Sequence, residues 1–129
     1  MAESPIKVLV IDDDEHVRAA LREVLDAQRD IRWVGDAADA WSAVSACLEH
    51  RPDVVVIDVR LPGGGASATR EVRAHCDGVV VVAHSDFGDR PHRELMLAAG
   101  AAGYVTKGAP RDQLLRAIRD AATIGRSEG

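Results

Sequence analysis

The fold class that the sequence predicts is a doubly wound α/β sandwich, a five-stranded parallel sheet with five helices over its two faces. Three observations carry it. Short apolar runs recur along the 129 residues, each long enough for one strand. Each run is followed by a stretch with helical spacing, and the connections between successive runs are too long for hairpins. Right-handed crossovers between parallel strands then put helices on both sides of the sheet.

The first strand, Ile6–Ile11, carries Val8-Leu9-Val10-Ile11 and breaks abruptly into Asp12-Asp13-Asp14-Glu15. Asp13 or Asp14 can cap the next helix, in which Val17, Ala20, Leu21, Val24 and Leu25 follow the i, i+3, i+4, i+7, i+8 rule. Ile31-Arg32-Trp33-Val34-Gly35 is a weaker strand whose polar interruptions suit an edge. Asp39 is placed to cap a second helix with Ala40, Ala43, Val44, Cys47 and Leu48 on its apolar side. Val54-Val55-Val56-Ile57 shows no polar alternation, as in a strand buried on both faces, and ends at Asp58 before the turn Leu61-Pro62-Gly63-Gly64-Gly65. Thr69 to His75 reads as a short third helix.

Val79–Ala83 is the fourth strand, and it empties into His84-Ser85-Asp86-Phe87-Gly88-Asp89. Pro91 stands in the first turn of the fourth helix, where its missing N–H costs nothing, and Gly100 ends that helix. Gly103–Thr106 is the fifth strand and stops at Lys107-Gly108. Pro110 opens the last helix, with Leu114, Leu115, Ile118, Ala121 and Ala122 turned inward. Gly125 to Gly129 shows no pattern, so residues 1–124 are expected to form the domain and 125–129 a tail or the start of a linker.

The net charge is -5 and no basic run occurs, which argues against nucleic-acid binding by these residues themselves. Cys47 and Cys76 stand far apart and form no Cys-x-x-Cys, so neither a disulfide framework nor a zinc site is expected, and the thiols read as reduced and partly buried. Met1 to Pro5 lacks a basic flank and a long apolar stretch, and no segment is long enough to span a bilayer. A soluble, cytoplasmic protein without membrane contact is expected. His16, His50, His75 and His92 make no metal spacing and read as surface residues; His84 stands nearer the polar loops and stays open. Trp33 and Trp41 read as packing residues. The glycine run after Asp58 lacks the Gly-Lys-Ser/Thr of a phosphate loop and reads as a mobile turn.

Taken alone, Asp58 could simply start a turn. A parallel sheet changes that, because all strand carboxyl ends share one edge, where open α/β sheets bind their ligands. Asp12, Asp13, Asp58, Ser85 and Lys107 then become neighbours. Crowded carboxylates repel unless a cation neutralises them, and a few hard oxygen ligands open to water suit Mg²⁺ better than zinc. A lysine and a hydroxyl on the far side of Asp58 complete a pocket for a tetrahedral anion.

The acidic pair after strand one, the single Asp after strand three, the Ser after strand four and the Lys after strand five resemble the receiver domain of two-component response regulators. The Leu61-Pro62-Gly63 turn and the block Ala99 to Lys107 are similar to receivers joined to a LuxR-type helix-turn-helix domain. The resemblance runs from Lys7 to about Ala122 and implies a flavodoxin-like sheet of order 2-1-3-4-5. It also implies that Asp58 is the phosphoacceptor, attacking the phosphohistidine of a sensor histidine kinase, and that the domain catalyses its own phosphotransfer and dephosphorylation. Asp13 and Asp58 would hold Mg²⁺ directly, the Arg60 carbonyl would add an oxygen, and Asp12 would act through water. Lys107 would pair with Asp58 and then with the phosphoryl group. Asp14 would cap its helix.

Counting back from Lys107, 107 − 85 = 22, the separation usual in the family, puts Ser85 at the switch hydroxyl, with Tyr104 as the aromatic that follows its movement. Asp86, next to that hydroxyl, replaces the usual small residue, and its charge would repel a donor phosphate or slow its entry. Gly108 replaces the common proline. Arg60 and Phe87 flank the route of water to the acyl phosphate, and the Phe87 ring would slow hydrolysis. The resemblance further implies a homodimer surface at strand five and helix five, and DNA contact only through an effector domain outside this chain. Arg111, Asp112, Arg116, Arg119 and Asp120 on that surface could equally be a solvated face. Two rivals are a haloacid-type phosphatase, with Asp12 as nucleophile and Asp14 as its acid-base partner, and a pseudo-receiver that is never phosphorylated.

Overall fold

The computed structural model describes residues 4–86, 88 and 90–128. Strands β1 (Ile6–Ile11), β2 (Ile31–Ala37), β3 (Val54–Asp58), β4 (Val80–Ser85) and β5 (Gly103–Thr106) alternate with helices α1 (Glu15–Asp26), α2 (Ala40–His50), α3 (Gly65–His75), α4 (Arg90–Ala98) and α5 (Arg111–Glu128). The strands form one sheet in the order β2-β1-β3-β4-β5, and every neighbouring pair is parallel. The predicted fold and strand order are therefore the observed ones.

Why the central strands read as unbroken apolar runs is visible in the core. Leu9, Ile11, Val55, Ile57, Val81 and Ala83 point to one face, where they meet Ala43 and Cys47 of α2, Val72 of α3 and Met96 of α4. Val8, Val10, Val54, Val56, Val80 and Val82 point to the other, against Leu21 and Leu25 of α1 and Leu114, Leu115 and Ile118 of α5. Both faces of β1, β3 and β4 are covered, so neither has a polar row. Each fully buried Leu or Ile among them contributes about 1.5–3 kcal/mol relative to an exposed one. The polar interruptions of β2 mark its edge position, with Arg32 and Asp36 exposed.

Asp14 caps α1 by accepting from the His16 N–H at 2.9 Å, and Asp39 caps α2 by accepting from the Ser42 N–H at 2.8 Å. Gly100 follows α4 at φ +113°, a conformation that L side chains rarely adopt.

Several expectations change. Helix α3 starts at Gly65 rather than Thr69, because Ala66 and Ala68 are small enough to be buried against the sheet although they add little to an apolar stripe. Late in α2 Ala46 turns inward beside Cys47, while Leu48 is 56% exposed, and Ala20 of α1 is exposed too. Trp41 is 76% exposed rather than packed inside. Trp33 does pack at the edge, under the Arg22 guanidinium at 4.1 Å. Helix α5 continues through Gly125 to Glu128, where the sequence shows no pattern. Arg119 is no merely solvated charge: it holds Asp30 in a two-pronged pair at 2.7 and 2.9 Å, joining α5 to the α1–β2 loop.

The glycines after Asp58 have a more specific cause than mobility. Gly63 and Gly64 take φ +89° and +97°. At Gly65 a Cβ would meet the Asp58 carbonyl oxygen and lie 2.7 Å from that of Val59. The helix can begin against the end of β3 only because this residue has no side chain.

Candidate functional site

At the carboxyl edge of the sheet β1 delivers Asp12 and Asp13, β3 delivers Asp58, and the chain leaving β5 delivers Lys107. One carboxylate oxygen from each of the three acids lies within 4.8 Å of the others; Asp12 and Asp58 are buried and Asp13 is exposed. The register explains the buried pair. Val10 stands beside Val56 and Ile11 beside Ile57, so the next residues, Asp12 and Asp58, leave the sheet side by side.

The Lys107 ammonium bridges them, 2.9 Å from Asp12 Oδ2 and 3.4 Å from Asp58 Oδ1. The resemblance implies a Lys107–Asp58 pair, and here the shorter contact is to Asp12. Burial acts against the charged ammonium, but the Asp12 hydrogen bond and the charges of Asp58, Asp12 and Asp86 outweigh it and raise the Lys107 pKa. Asp58 is shifted up, chiefly by burial and also by the Asp12 charge, against the Arg60 N–H and Lys107.

Backbone groups fix the carboxylates. The Arg60 N–H donates to Asp58 Oδ1 at 3.2 Å, and the Asp14 N–H donates to Asp12 Oδ1 at 2.9 Å. Both oxygens of Asp12 are thus engaged, whereas Asp13 faces outward. Arg18 of α1, which the sequence did not single out, donates to the Asp12 carbonyl at 2.7 Å and to Asp36 at 3.0 Å. It ties the acidic loop to the sheet edge. Asp14 is occupied as the α1 cap and is exposed, which removes it from the acid-base role that the phosphatase rival requires.

Ser85 ends β4 and is fully buried. Its carbonyl accepts from the Lys107 N–H at 2.7 Å, so the hydroxyl-bearing residue and the lysine are joined through the backbone. Ala83 is the register partner of Tyr104 and Ser85 that of Thr106, so Ser85 and Tyr104 belong to the same face of adjacent strands. Tyr104 is half-buried against that face's core.

His84 is the residue the sequence left open, and it is 6% exposed. It is the register partner of Asp58, and its carbonyl accepts from the Val59 N–H at 3.2 Å. Its Nδ1 has no partner among the described residues. Burial, then the Lys107 charge, push His84 down to about 4 against the opposing charges of Asp12 and Asp86. The apolar run Val79–Ala83 could have signalled this, since extending it by one residue carries the imidazole under the sheet's edge. Phe87, expected to shield the site from water, lies outside the described residues.

The chemistry of this edge is that of an all-oxygen, half-open acidic cluster with one lysine at its rim. Such donors fit a hard divalent cation that keeps water ligands, and Lys107 supplies part of the neutralisation.

Comparison with known proteins gives a consistent result. The response regulator receiver domain family matches residues 8–119. Response regulator UvrY of Escherichia coli K12 is 37% identical over 115 residues, covering 88% of this chain and 53% of that protein. Response regulator GacA of Pseudomonas syringae is 41% identical over 116 residues, covering 88% of this chain and 54% of that protein. The chain thus spans about half the length of the curated relatives it matches. Among solved structures, the signal receiver domain of response regulator NarL from Mycobacterium tuberculosis aligns at TM-score 0.88 and 29% identity over 94% of this chain and 98% of that one. A LuxR-family two-component response regulator from Aurantimonas aligns at TM-score 0.87 and 31% identity over 93% and 86%. From β1 to the middle of α5 the residues follow one family pattern, and the chain belongs to the response regulator receiver domains of two-component signalling systems.

Proposed function

We propose that Asp58 is the phosphoacceptor of this receiver domain and that a sensor histidine kinase is its donor. The observation that carries this is the placement of Asp58: a buried carboxylate at the end of the central strand, beside the acidic pair of β1 and within 3.4 Å of the Lys107 ammonium.

In the reaction a carboxylate oxygen of Asp58 attacks the phosphorus of phosphohistidine, the P–N bond breaks, and the electron pair leaves on the kinase imidazole. Asp58 keeps its attacking oxygen oriented because the Arg60 N–H holds Oδ1. Lys107 moves its charge from the carboxylates to the incoming phosphoryl oxygens, a shift its position between Asp12 and Asp58 makes short. Asp13, Asp58 and the Arg60 carbonyl would hold Mg²⁺, with Asp12 acting through water. The ion would neutralise the phosphoryl oxygens and the acids at once.

Ser85 then donates to the phosphoryl group, and Tyr104, on the same face, follows. That movement biases the β5 and α5 surface toward a homodimer or an effector contact. Control of transcription through an effector domain outside these residues is the matching output, supported by relatives of which the aligned residues cover only 53% and 54%. The domain also hydrolyses its own acyl phosphate. No described helix is long and apolar enough to cross a membrane, and we place the domain in the cytoplasm with its kinase.

Intact mass after incubation with Mg²⁺ and acetyl phosphate, or with a phosphorylated kinase, tests the assignment. Wild type should gain about 80 Da, one phosphoryl group, and Asp58→Ala should gain nothing. An equal gain on Asp58→Ala would move the acceptor elsewhere. No gain from either donor on wild type would favour a pseudo-receiver.

A further inference from the structure

Cys47 and Cys76 are distant in sequence and adjacent in the fold. Cys47 lies in the carboxyl half of α2, and Cys76 forms the carboxyl cap of α3. Both are free thiols buried in the same core cluster. They also share the wall of one cleft of about 630 Å³, with Arg51, Pro52, His75 and Gly78 among its other walls. That cleft opens where the chain enters β3 and β4, at the amino edge of the sheet, opposite the acidic cluster. Among the described residues the acidic triad is the only group of three metal-ligating side chains, so the sulfurs have no third ligand for zinc.

We infer that Cys47 and Cys76 form a reversible disulfide on exposure to a peroxide, joining the carboxyl ends of α2 and α3 behind the sheet. The inference rests on the thiol pair and the cleft and is independent of the assignment of Asp58. Cys76, 6% exposed against 2% for Cys47, reacts first. Its thiolate attacks a peroxide oxygen, the O–O bond breaks, and the departing hydroxide takes a proton to become water, leaving a sulfenic acid. The Cys47 sulfur attacks that sulfenic sulfur, its proton goes to the leaving hydroxyl, and a second water departs. Two thiols and one hydrogen peroxide become one disulfide and two waters. Burial, then the neighbouring Cys76 thiol, push the Cys47 thiol up to about 12, so at neutral pH it is protonated and its attack on the sulfenic sulfur is slow. The pair is therefore a slow lock that answers sustained oxidation. A dithiol reductant reopens it by exchange.

The test uses the reduced chain in excess hydrogen peroxide, sampled over time, then unfolded with N-ethylmaleimide and weighed intact. The expected product is a monomer about 2 Da lighter that takes no maleimide and takes two after dithiothreitol. Oxidised wild type should also melt at least about 5 °C above reduced wild type, because the bridge closes a long loop around β3. Two thiols still open to maleimide, a sulfinic acid in place of the bridge, or a disulfide-linked dimer would each overturn the inference. Cys47→Ser and Cys76→Ser should both fail to become lighter by that mass.

Discussion

His84 makes the stability of this domain depend on pH in a way that can be worked out from its surroundings. In the unfolded chain an imidazole titrates near 6.5, and in the fold burial and Lys107 push it down to about 4. Between those values the unfolded chain binds a proton that the folded chain refuses. Stability is therefore fully present above pH 6.5 and falls as pH drops toward 4. From these two values the loss on going from pH 8 to pH 5 is about 2 kcal/mol. For a domain of this size that lowers Tm by about 7 °C.

Asp58 works in the opposite sense, since its raised pKa favours the folded state when it is protonated, in a window above 3.8. A wild-type curve alone mixes the two effects. The variant His84→Leu isolates one of them, because it removes the imidazole and leaves Asp58 in place. Thermal unfolding of both proteins at pH 8, 6.5 and 5 in the presence of a metal chelator is the assay. His84→Leu should lose about 2 kcal/mol less than wild type between pH 8 and pH 5. At pH 8 it should be at least as stable, since it also removes a buried nitrogen without a partner. Equal losses in the two proteins would refute the assignment of a neutral, buried imidazole.

The remaining predictions concern the acidic edge. Gly65→Ala places a methyl group against the Asp58 and Val59 carbonyls, so it should cost about 1–3 kcal/mol in urea unfolding and slow labelling of Asp58 by acetyl phosphate. A variant as stable and as fast as wild type would show that the turn can move aside. Saturating Mg²⁺ should raise the wild-type Tm by about 5–10 °C, as expected for an ion at roughly a hundred times its Kd. Asp13→Asn, which alters the exposed acid of the triad, should lose most of that rise while melting normally in chelator, and an undiminished rise would place the ion elsewhere.

Much of the molecule is written locally. The apolar runs at β1, β3 and β4, the spacing of Leu114, Leu115 and Ile118, and the caps Asp14 and Asp39 each depend on a few neighbouring residues. Period and run length report those directly. A parallel sheet then forces all strand carboxyl ends to one edge, so the gathering of Asp12, Asp13, Asp58 and Lys107 follows from the fold class and the residue types alone. Helix α3 was legible only in its second half, because its first turn is buried through small residues rather than an apolar stripe.

Local sequence thus specifies the sheet, its helices and the composition of its reactive edge. Tertiary structure alone decided which partners meet there: Lys107 nearer Asp12 than Asp58, His84 level with Asp58, Gly65 against the end of β3, and Cys47 beside Cys76. The physical reason is that these contacts join residues far apart along the chain. Strand register, helix docking and side-chain rotamers set them together, and no local pattern carries that information.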